Sequence, residues 1–426
     1  MTVIGIDDTD SRERGMCTTY VAATLTDRLR REGASVERVL LVRLNPAVEH
    51  KTRGNAALAI HCDAPPERAH ALGAKALGRA ETGDDRTNPG MVVAPGTPSA
   101  VPDDVATFAE LAVRSHLDRE AARGCCVDAG FTTAIRGNGR GVIGALAAVG
   151  AWRAFGEWTY EQIAYRERER WGTERDVDRD SVFAAAEAWY PIVWDTVDRE
   201  EGTAVCVPRT PCPVLYGIRG DDPDAVGQVV ADIASEPVAG SQLFVTNQGT
   251  DSHLRAGTVG ELRDGRAYRV TGEVAEPPET REGGHVFCTL GSDGGGGNGA
   301  TVDVAAFEPT KRFRNRVRRL RAGDRITACG EVSDGTLKLE KFAVRDPVRT
   351  ERVTPDCPDC GRSMESAGQD AGYRCRDCDT RAAGKVERAI ERDVAEGWYE
   401  VPPVARRHIA KPLVRGGFDA PTHPER

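Results

Sequence analysis

Long apolar runs are missing from this 426-residue sequence, and so is the basic, apolar N-terminal stretch that directs export. A membrane helix needs about 20 consecutive apolar residues, whereas the longest apolar stretch, Val142 to Trp152, is interrupted by glycines. The opening residues turn acidic at Asp7 and Asp8, unlike a signal peptide. These absences predict a soluble, cytoplasmic protein with no membrane partner, its twelve cysteines in a reducing compartment. Clustered cysteines there point to metal and scattered ones to packing. Lysine is scarce too: only seven of the 57 basic residues are lysine, and the net charge is −9. That acidity excludes a chain coated in basic surface and fits solubility in salt, so local basic clusters become the informative feature. Neither HExxH nor GxSxG occurs, and nothing points to a protease.

What is present divides along the chain. At this length one core is too few, and two to four domains are expected. Val3 to Ile6 reads as a buried strand, and Val21, Leu25 and Leu29 give Thr18 to Arg31 one apolar helical face. Strands at Val39–Leu44 and Ala56–Ile60 and a helix at Pro66–Leu77 continue an α/β alternation. A glycine-rich loop then runs into an apolar helix between Arg123 and Arg166. Strands at Thr203–Val207, Val214–Ile218 and Gln242–Thr246, with a helix at Pro223–Ser235, make half a ferredoxin-like α+β layer. From Gly257 the pattern is all-β. Strands at Val270–Val274, Val286–Leu290, Thr301–Ala305, Arg325–Val332 and Leu337–Val344, with a helix between the third and fourth, predict an OB-fold barrel. The glycine run at 294–297 reads as a loop insertion, since no lysine follows to make it a phosphate loop.

Five stretches carry chemistry. Cys357-x-x-Cys360 and Cys375-x-x-Cys378 place two thiolate pairs at zinc-ribbon spacing. Four protein ligands leave no open position, so this Zn²⁺ is structural. Asp7, Asp8 and Asp10 follow the first strand. One acid suffices to cap a helix, but three crowded ones repel unless a cation such as Mg²⁺ neutralises them. Lys51 and Arg53, before a strand, suit phosphate oxygens, and Gly137, Asn138 and Gly139 can present backbone N–H groups to a phosphate. Finally, Lys311, Arg312, Arg314, Arg316, Arg318, Arg319 and Arg321 crowd a segment whose Phe313, Val317 and Leu320 bury one face. Beside a barrel and a ribbon, such a stripe fits nucleic-acid phosphates; the other reading is a face paired with surface carboxylates.

In combination these motifs resemble the archaeal 2-agmatinylcytidine synthetases that act on the AUA-decoding isoleucine tRNA. The resemblance rests on Gly5 to Ser11, Gly15 to Tyr20, Lys51 to Asn55, Arg136 to Ala148, Thr246 to Leu254 and the four cysteines, in order along nearly the whole chain. It implies a kinase-like α/β domain over residues 1–122, sharing residues 123–200, and a ferredoxin-like domain with the glycine-rich loop over 123–255. An OB fold over 256–347, a zinc ribbon over 350–382 and a helical, basic tail over 383–426 complete the expected order. The implied reaction is ATP-dependent: the C2 oxygen of the wobble cytidine in the anticodon is phosphorylated, and the amine of agmatine displaces phosphate. Asp7, Asp8 and Asp10 would hold Mg²⁺, and Thr18 falls where the family is phosphorylated by ATP. The barrel, the basic stripe and the ribbon would grip the tRNA. Glu157, Trp158, Tyr160 and Asp251 have chemistry suited to agmatine's guanidinium, with no spacing argument to choose among them. A non-catalytic RNA-binding protein and a Mg²⁺-dependent nuclease are the competing readings.

Overall fold

The computed structural model describes residues 1–11, 15–51, 54–292, 299–369 and 371–426. The glycine run at 294–297 and Arg53 lie outside the described residues. The first strand, β1 (Thr2–Asp7), buries Val3, Ile4 and Ile6 completely, as a strand covered on both faces requires. It is followed by α1 (Thr18–Arg31), β2 (Val36–Arg43), β3 (Ala56–Cys62), α2 (Pro66–Leu77), β4 (Gly90–Pro95), α3 (Asp103–Arg114), α4 (Arg119–Asp128), β5 (Thr132–Ile135), α5 (Val142–Ala154) and β6 (Thr159–Arg166). Next come α6 (Arg179–Trp189), β7 (Val193–Trp194), β8 (Val197–Asp198), β9 (Thr203–Ala204), β10 (Val214–Gly220), α7 (Pro223–Asp232) and β11 (Val238–Thr246). Apart from β8 and β9, which pair with each other, these strands form one nine-stranded sheet in the order β5-β4-β1-β3-β2-β11-β6-β10-β7. The seam is β11 lying parallel to β2, Val245 opposite Leu40 and Thr246 opposite Leu41. The sheet therefore runs unbroken across the border expected near residue 122.

The helices cover its two faces. Leu25 and Leu29 of α1 pack with Leu72 and Leu77 of α2, Ile4, Ile6 and Leu41 on one side. On the other, α5 lies between the sheet and α3, which is why it is apolar all round. Its glycines permit a close approach. A Cβ on Gly5 would lie 2.0 Å from the Ala145 carbonyl oxygen, and one on Gly144 would lie 2.0 Å from Asp7 Oδ2. Gly144, one of the glycines that break the longest apolar run, thus makes room for the first aspartate.

The expected strand at Thr203–Val207 shrinks to the two residues of β9, because Pro208, Pro211 and Pro213 deny the following chain a ladder. The strand β4 and the helices α3, α4 and α6 were not anticipated by the sequence pattern.

The all-β region follows the expectation closely. After β12 (Leu254–Gly257) come β13 (Arg266–Thr280), β14 (Val286–Gly291), β15 (Thr301–Ala306), α8 (Phe313–Val317), β16 (Arg325–Ser333) and β17 (Thr336–Asp346). Pairing runs β13-β14-β15-β17-β16 and back to β13, closing a five-stranded barrel with α8 between the third and fourth strands. Phe313 and Val317 are wholly buried in the barrel core with Phe342, and burying a phenylalanine contributes about 2 kcal/mol.

In the ribbon, β19 (Glu365–Ser366), β20 (Tyr373–Arg374) and β21 (Arg381–Ala382) form a three-stranded sheet, flanked by the pair β18 (Thr350–Val353) and β22 (Val386–Ala389). The tail expected to be helical contains no α-helix among the described residues. Instead β23 (Gly397–Glu400) extends the barrel sheet beside β17, and β24 (Thr422–His423) pairs with β23. Pro402, Pro403, Pro412 and Pro421 and the Gly416-Gly417 pair oppose a sustained α-helix, and only short 3-10 turns form, at Pro403–Ala405 and Leu413–Arg415. Among the described residues no helix is long and apolar enough to cross a membrane.

Candidate active-site cleft and zinc centre

The pairing brings the ends of β1, β2, β11 and β10 to the edge of the sheet where β6 begins: Thr246 lies opposite Thr159, and Gly220 opposite Tyr160. A cleft of about 550 Å³ opens at this edge. Asp7 at the end of β1 and Asp8 and Asp10 just past it line the cleft, with Thr18 from the start of α1, Lys51 from the turn before β3 and Arg140 from the turn before α5. Residues singled out from separate stretches of sequence are thus in one place, as the carboxyl ends of strands in an α/β sheet favour.

The aspartate loop is held from outside. Asp8 adopts φ 61°, and its Oδ2 accepts the Asn88 N–H at 3.1 Å and Arg140 Nη2 at 3.4 Å. Thr87 Oγ1 donates to the Asp10 carbonyl at 2.6 Å, and Ser11 Oγ donates to Asp84 at 2.8 Å. Arg140 Nη2 also donates to the carbonyls of His50 and Arg86 at 3.0 and 2.9 Å. Burial, then the neighbouring Asp8 and Asp10, holds the Asp7 carboxyl well above the usual range. Burial likewise pushes Asp8 up to about 6 against the pull of Arg140. A cation is what such a group lacks. The carboxylates do not converge as a ready triad, however. Among the described residues, only the four cysteines form a group of three or more potential metal ligands with all donor atoms within 4.8 Å.

Thr18 Oγ1 accepts both the backbone N–H and the hydroxyl of buried Thr9, at 3.4 and 3.2 Å, which leaves its own hydrogen to donate elsewhere. Gly137, Asn138 and Gly139 do not line the cleft. Their loop stands behind it: Gly137 and Gly139 take φ of 60° and 71°, and the Asn138 N–H donates to Asn88 Oδ1 at 3.0 Å, the same Asn88 that holds Asp8.

Among the charged residues of the cleft that escaped the sequence reading, three pair with one another. Glu161 on β6 accepts Arg43 Nη2 from β2 and Arg219 Nε from β10, each at 3.3 Å. Burial works to raise Glu161, but Arg219 and Arg43 overcome it and hold the carboxyl below its usual range. The available signal was a charge alternating with Ile163 and Tyr165 toward a buried face. The Asn88-Pro89-Gly90 turn was equally visible and unread. None of Glu157, Trp158, Tyr160 and Asp251 lines the cleft. Glu157 pairs with Lys411 and Arg415 at 3.2 and 3.1 Å, and Asp251 accepts Lys341 Nζ at 2.6 Å.

At the other end of the chain, Cys357, Cys360, Cys375 and Cys378 bring their sulfurs within 4.8 Å of one another. Each knuckle turns through a left-handed residue, Gly361 at φ 71° and Asp379 at φ 52°, and such turns aim backbone and sulfur inward. Four thiolates at this separation fit tetrahedral Zn²⁺.

The basic stripe is less uniform than its sequence. Arg312 is half-buried against Asp198 at 3.0 Å and Glu425, Arg314 meets Glu308 at 3.4 Å, Lys311 meets Glu201 at 3.8 Å, and Arg319 pairs with Asp393. Arg316 and Arg318 are exposed; Arg318 donates to Asn315 and Thr280, and neither arginine pairs with a carboxylate among the described residues.

Comparison with known proteins bears on all of this. Family models for the TiaS TCKD domain, the TiaS FLD domain and the TiaS C-terminal zinc ribbon domain match residues 3–76, 139–253 and 354–394. A Haloquadratum walsbyi protein, named as the 2-agmatinylcytidine synthetase TiaS of the second isoleucine tRNA, is 53% identical over 462 residues, covering 100% of both chains. The crystal structure of TiaS in complex with that tRNA and ATP is similar with a TM-score of 0.88 at 39% identity, over 100% of this chain and 99% of that one. A complex of TiaS with the same tRNA, AMPCPP and agmatine gives 0.85 at 37% identity, with coverage of 100% and 99%.

Proposed function

Since this chain belongs to the TiaS family of isoleucine-tRNA 2-agmatinylcytidine synthetases, we propose that its cleft uses ATP to join agmatine to C2 of the wobble cytidine of the AUA-decoding isoleucine tRNA. The observation that carries the reading within this molecule is the gathering of Asp7, Asp8, Asp10, Thr18, Lys51 and Arg140 around one cleft. In the reaction a phosphoryl group passes from ATP to the C2 oxygen, turning a poor leaving group into a good one. The primary amine of agmatine forms the C2–N bond and loses a proton, and the C2–O bond breaks as phosphate departs with the oxygen.

Lys51 and Arg140 present cations to phosphate oxygens, and Arg53, close by in sequence but outside the described residues, is assigned the same task. Gly137, Asn138 and Gly139 act at one remove, through Asn88 and Asp8. Thr18, its acceptor positions taken by Thr9, offers a hydroxyl proton to a phosphate oxygen, and it is the candidate for phosphorylation at a helix start. Asp7, Asp8 and Asp10 suit Mg²⁺, which typically takes one or two carboxylates plus substrate phosphates and so needs no preformed triad. The ion would supply charge neutralisation on the polyphosphate. The strands up to β5 form the kinase-like part of the sheet, and β6, β10 and β11 with α6 and α7 the ferredoxin-like part. The OB-type barrel, the ribbon and the stripe bind the tRNA. Arg316 and Arg318 carry most of the phosphate contact, while Arg312 and Arg314 orient the segment.

The test is incorporation of radiolabelled agmatine into a transcript of the AUA-decoding isoleucine tRNA. Label should enter only with ATP present, and not when the wobble cytidine is replaced by uridine. Incorporation into the uridine transcript, or without ATP, would refute the assignment.

A further inference from the structure

The same cleft is lined by a second charged group, on other strands than the aspartates, to which the proposed reaction gives no task. Arg43, Glu161 and Arg219 lie on three strands, β2, β6 and β10, with β11 between the first two. Glu161 is buried, and the Arg43 and Arg219 side chains are 16% and 24% exposed. A buried carboxylate holding two half-buried guanidiniums is costly to build and weak as a source of stability, so a purely structural purpose explains it poorly. Its charge is also unbalanced, with two guanidiniums on one carboxylate.

Each arginine is fixed by one edge only. Arg43 spends Nε on Gln248 Oε1 at 2.9 Å and Nη2 on Glu161, while Asn247 Oδ1 accepts its backbone N–H at 2.7 Å. Arg219 spends Nε on Glu161. Arg43 Nη1 and both Nη atoms of Arg219 donate to no group among the described residues, and both side chains line the cleft. On β6, Glu161 alternates with Ile163 and Tyr165, which pack in the same core as α1. The trio therefore faces the side of the sheet on which α1 begins, where Cys17 and Thr18 line the same cleft. Two guanidinium forks prealigned by a shared carboxylate, with a helix N-terminus nearby, are matched to a tetrahedral oxyanion.

We propose that Arg43 and Arg219, locked by Glu161, form a receptor for the phosphoryl group handled in this cleft, distinct from the three aspartates. The group has two possible sources: the terminal phosphate of ATP, or the phosphate released after transfer. The inference rests on the proposed function only for the identity of that phosphate, because binding can be read without turnover.

The experiment titrates the full-length protein and its Arg219→Gln and Arg219→Lys variants with MgATP by calorimetry and with inorganic phosphate by ³¹P NMR. Thermal melts check that the variants fold. Arg219→Gln should weaken inorganic phosphate about tenfold, as expected for loss of a charge-assisted contact. Arg219→Lys, which keeps charge but loses the fork, should fall between. A parallel tenfold loss for MgATP identifies the group as the nucleotide's terminal phosphate; unchanged MgATP affinity identifies it as the released phosphate. The proposal is overturned if both affinities stay within twofold of wild type in both variants, or if the wild type binds no inorganic phosphate. Should Arg219→Gln fail to fold, Arg219→Lys alone decides by the same criterion. A wild type that ligates no agmatine yet shows these shifts would count against the proposed reaction and leave the receptor standing.

Discussion

In the zinc ribbon, two C-x-x-C knuckles bring four sulfurs within 4.8 Å of one another; in the cleft, three aspartates follow a single strand and form no such group. Both regions crowd acidic ligands, yet the ribbon's ligands all fall between Cys357 and Cys378, whereas the cleft draws on β1, α1 and the turns before β3 and α5. Burial holds the carboxyls of Asp7 and Asp8 above their usual range. A structural metal site is finished by the protein; a phosphoryl-transfer site is finished by its substrates. The barrel stripe stands between these cases, because carboxylates of the protein itself already satisfy several of its cations.

The sharpest way to break this contrast is Asp8→Asn. If substrates complete the cleft, removing one charge should cost about a hundred- to a thousandfold in agmatine incorporation, the scale of losing one preorganised electrostatic group. The unliganded fold should not suffer. A carboxyl raised to about 6 favours its protonated form, so its contribution to stability is present below the ordinary carboxyl range and lost as pH rises through about 6. Melting curves should therefore show Asp8→Asn at least as stable as wild type above that value.

Cys375→Ser attacks the other side of the comparison. The protein should lose its single zinc, read by metal analysis, and tRNA affinity should fall roughly tenfold, as for loss of a recognition element. MgATP affinity should be unchanged, and a parallel loss of nucleotide binding would show that ribbon and cleft are not independent.

The stripe divides more finely. Replacing Arg316 and Arg318 together by glutamate should weaken tRNA binding and reduce the salt slope by about two, measured by filter binding across a salt series. Arg312→Gln should leave that slope nearly unchanged and lower the melting temperature instead, since Arg312 serves Asp198 and Glu425. The smallest effect expected is for Thr9→Val, which takes one donor from Thr18 and should reduce turnover a few-fold with MgATP affinity intact.

How much could be read beforehand follows from the same contrast. Cys357 to Cys378 is a local pattern, and so are the five barrel strands with a helix after the third; both survive intact because spacing alone encodes them. Asp7, Asp8, Asp10 and Lys51 were visible as unusual residue types at a strand end or a turn, whereas Thr18 came only from the family resemblance. Arg43, Glu161 and Arg219 were not visible, because an isolated charge in a strand gains meaning only when β11 settles beside β2. The tail misled for a related reason: its arginines and prolines mark a strap. Arg406 reaches Asp195 and Glu400, and Arg415 reaches Asp221 and Glu157, partners that no local periodicity reveals.

The central claim is that the aspartate end of the cleft performs an ATP-dependent ligation of agmatine to tRNA. Its most direct test is mass spectrometry of nucleosides from the AUA-decoding isoleucine tRNA after incubation with wild type or Asp8→Asn, with agmatine and ATP each present or withheld. The account predicts 2-agmatinylcytidine only with wild type, agmatine and ATP together. The same nucleoside made at the normal rate by Asp8→Asn would contradict it, as would its absence from the complete wild-type reaction.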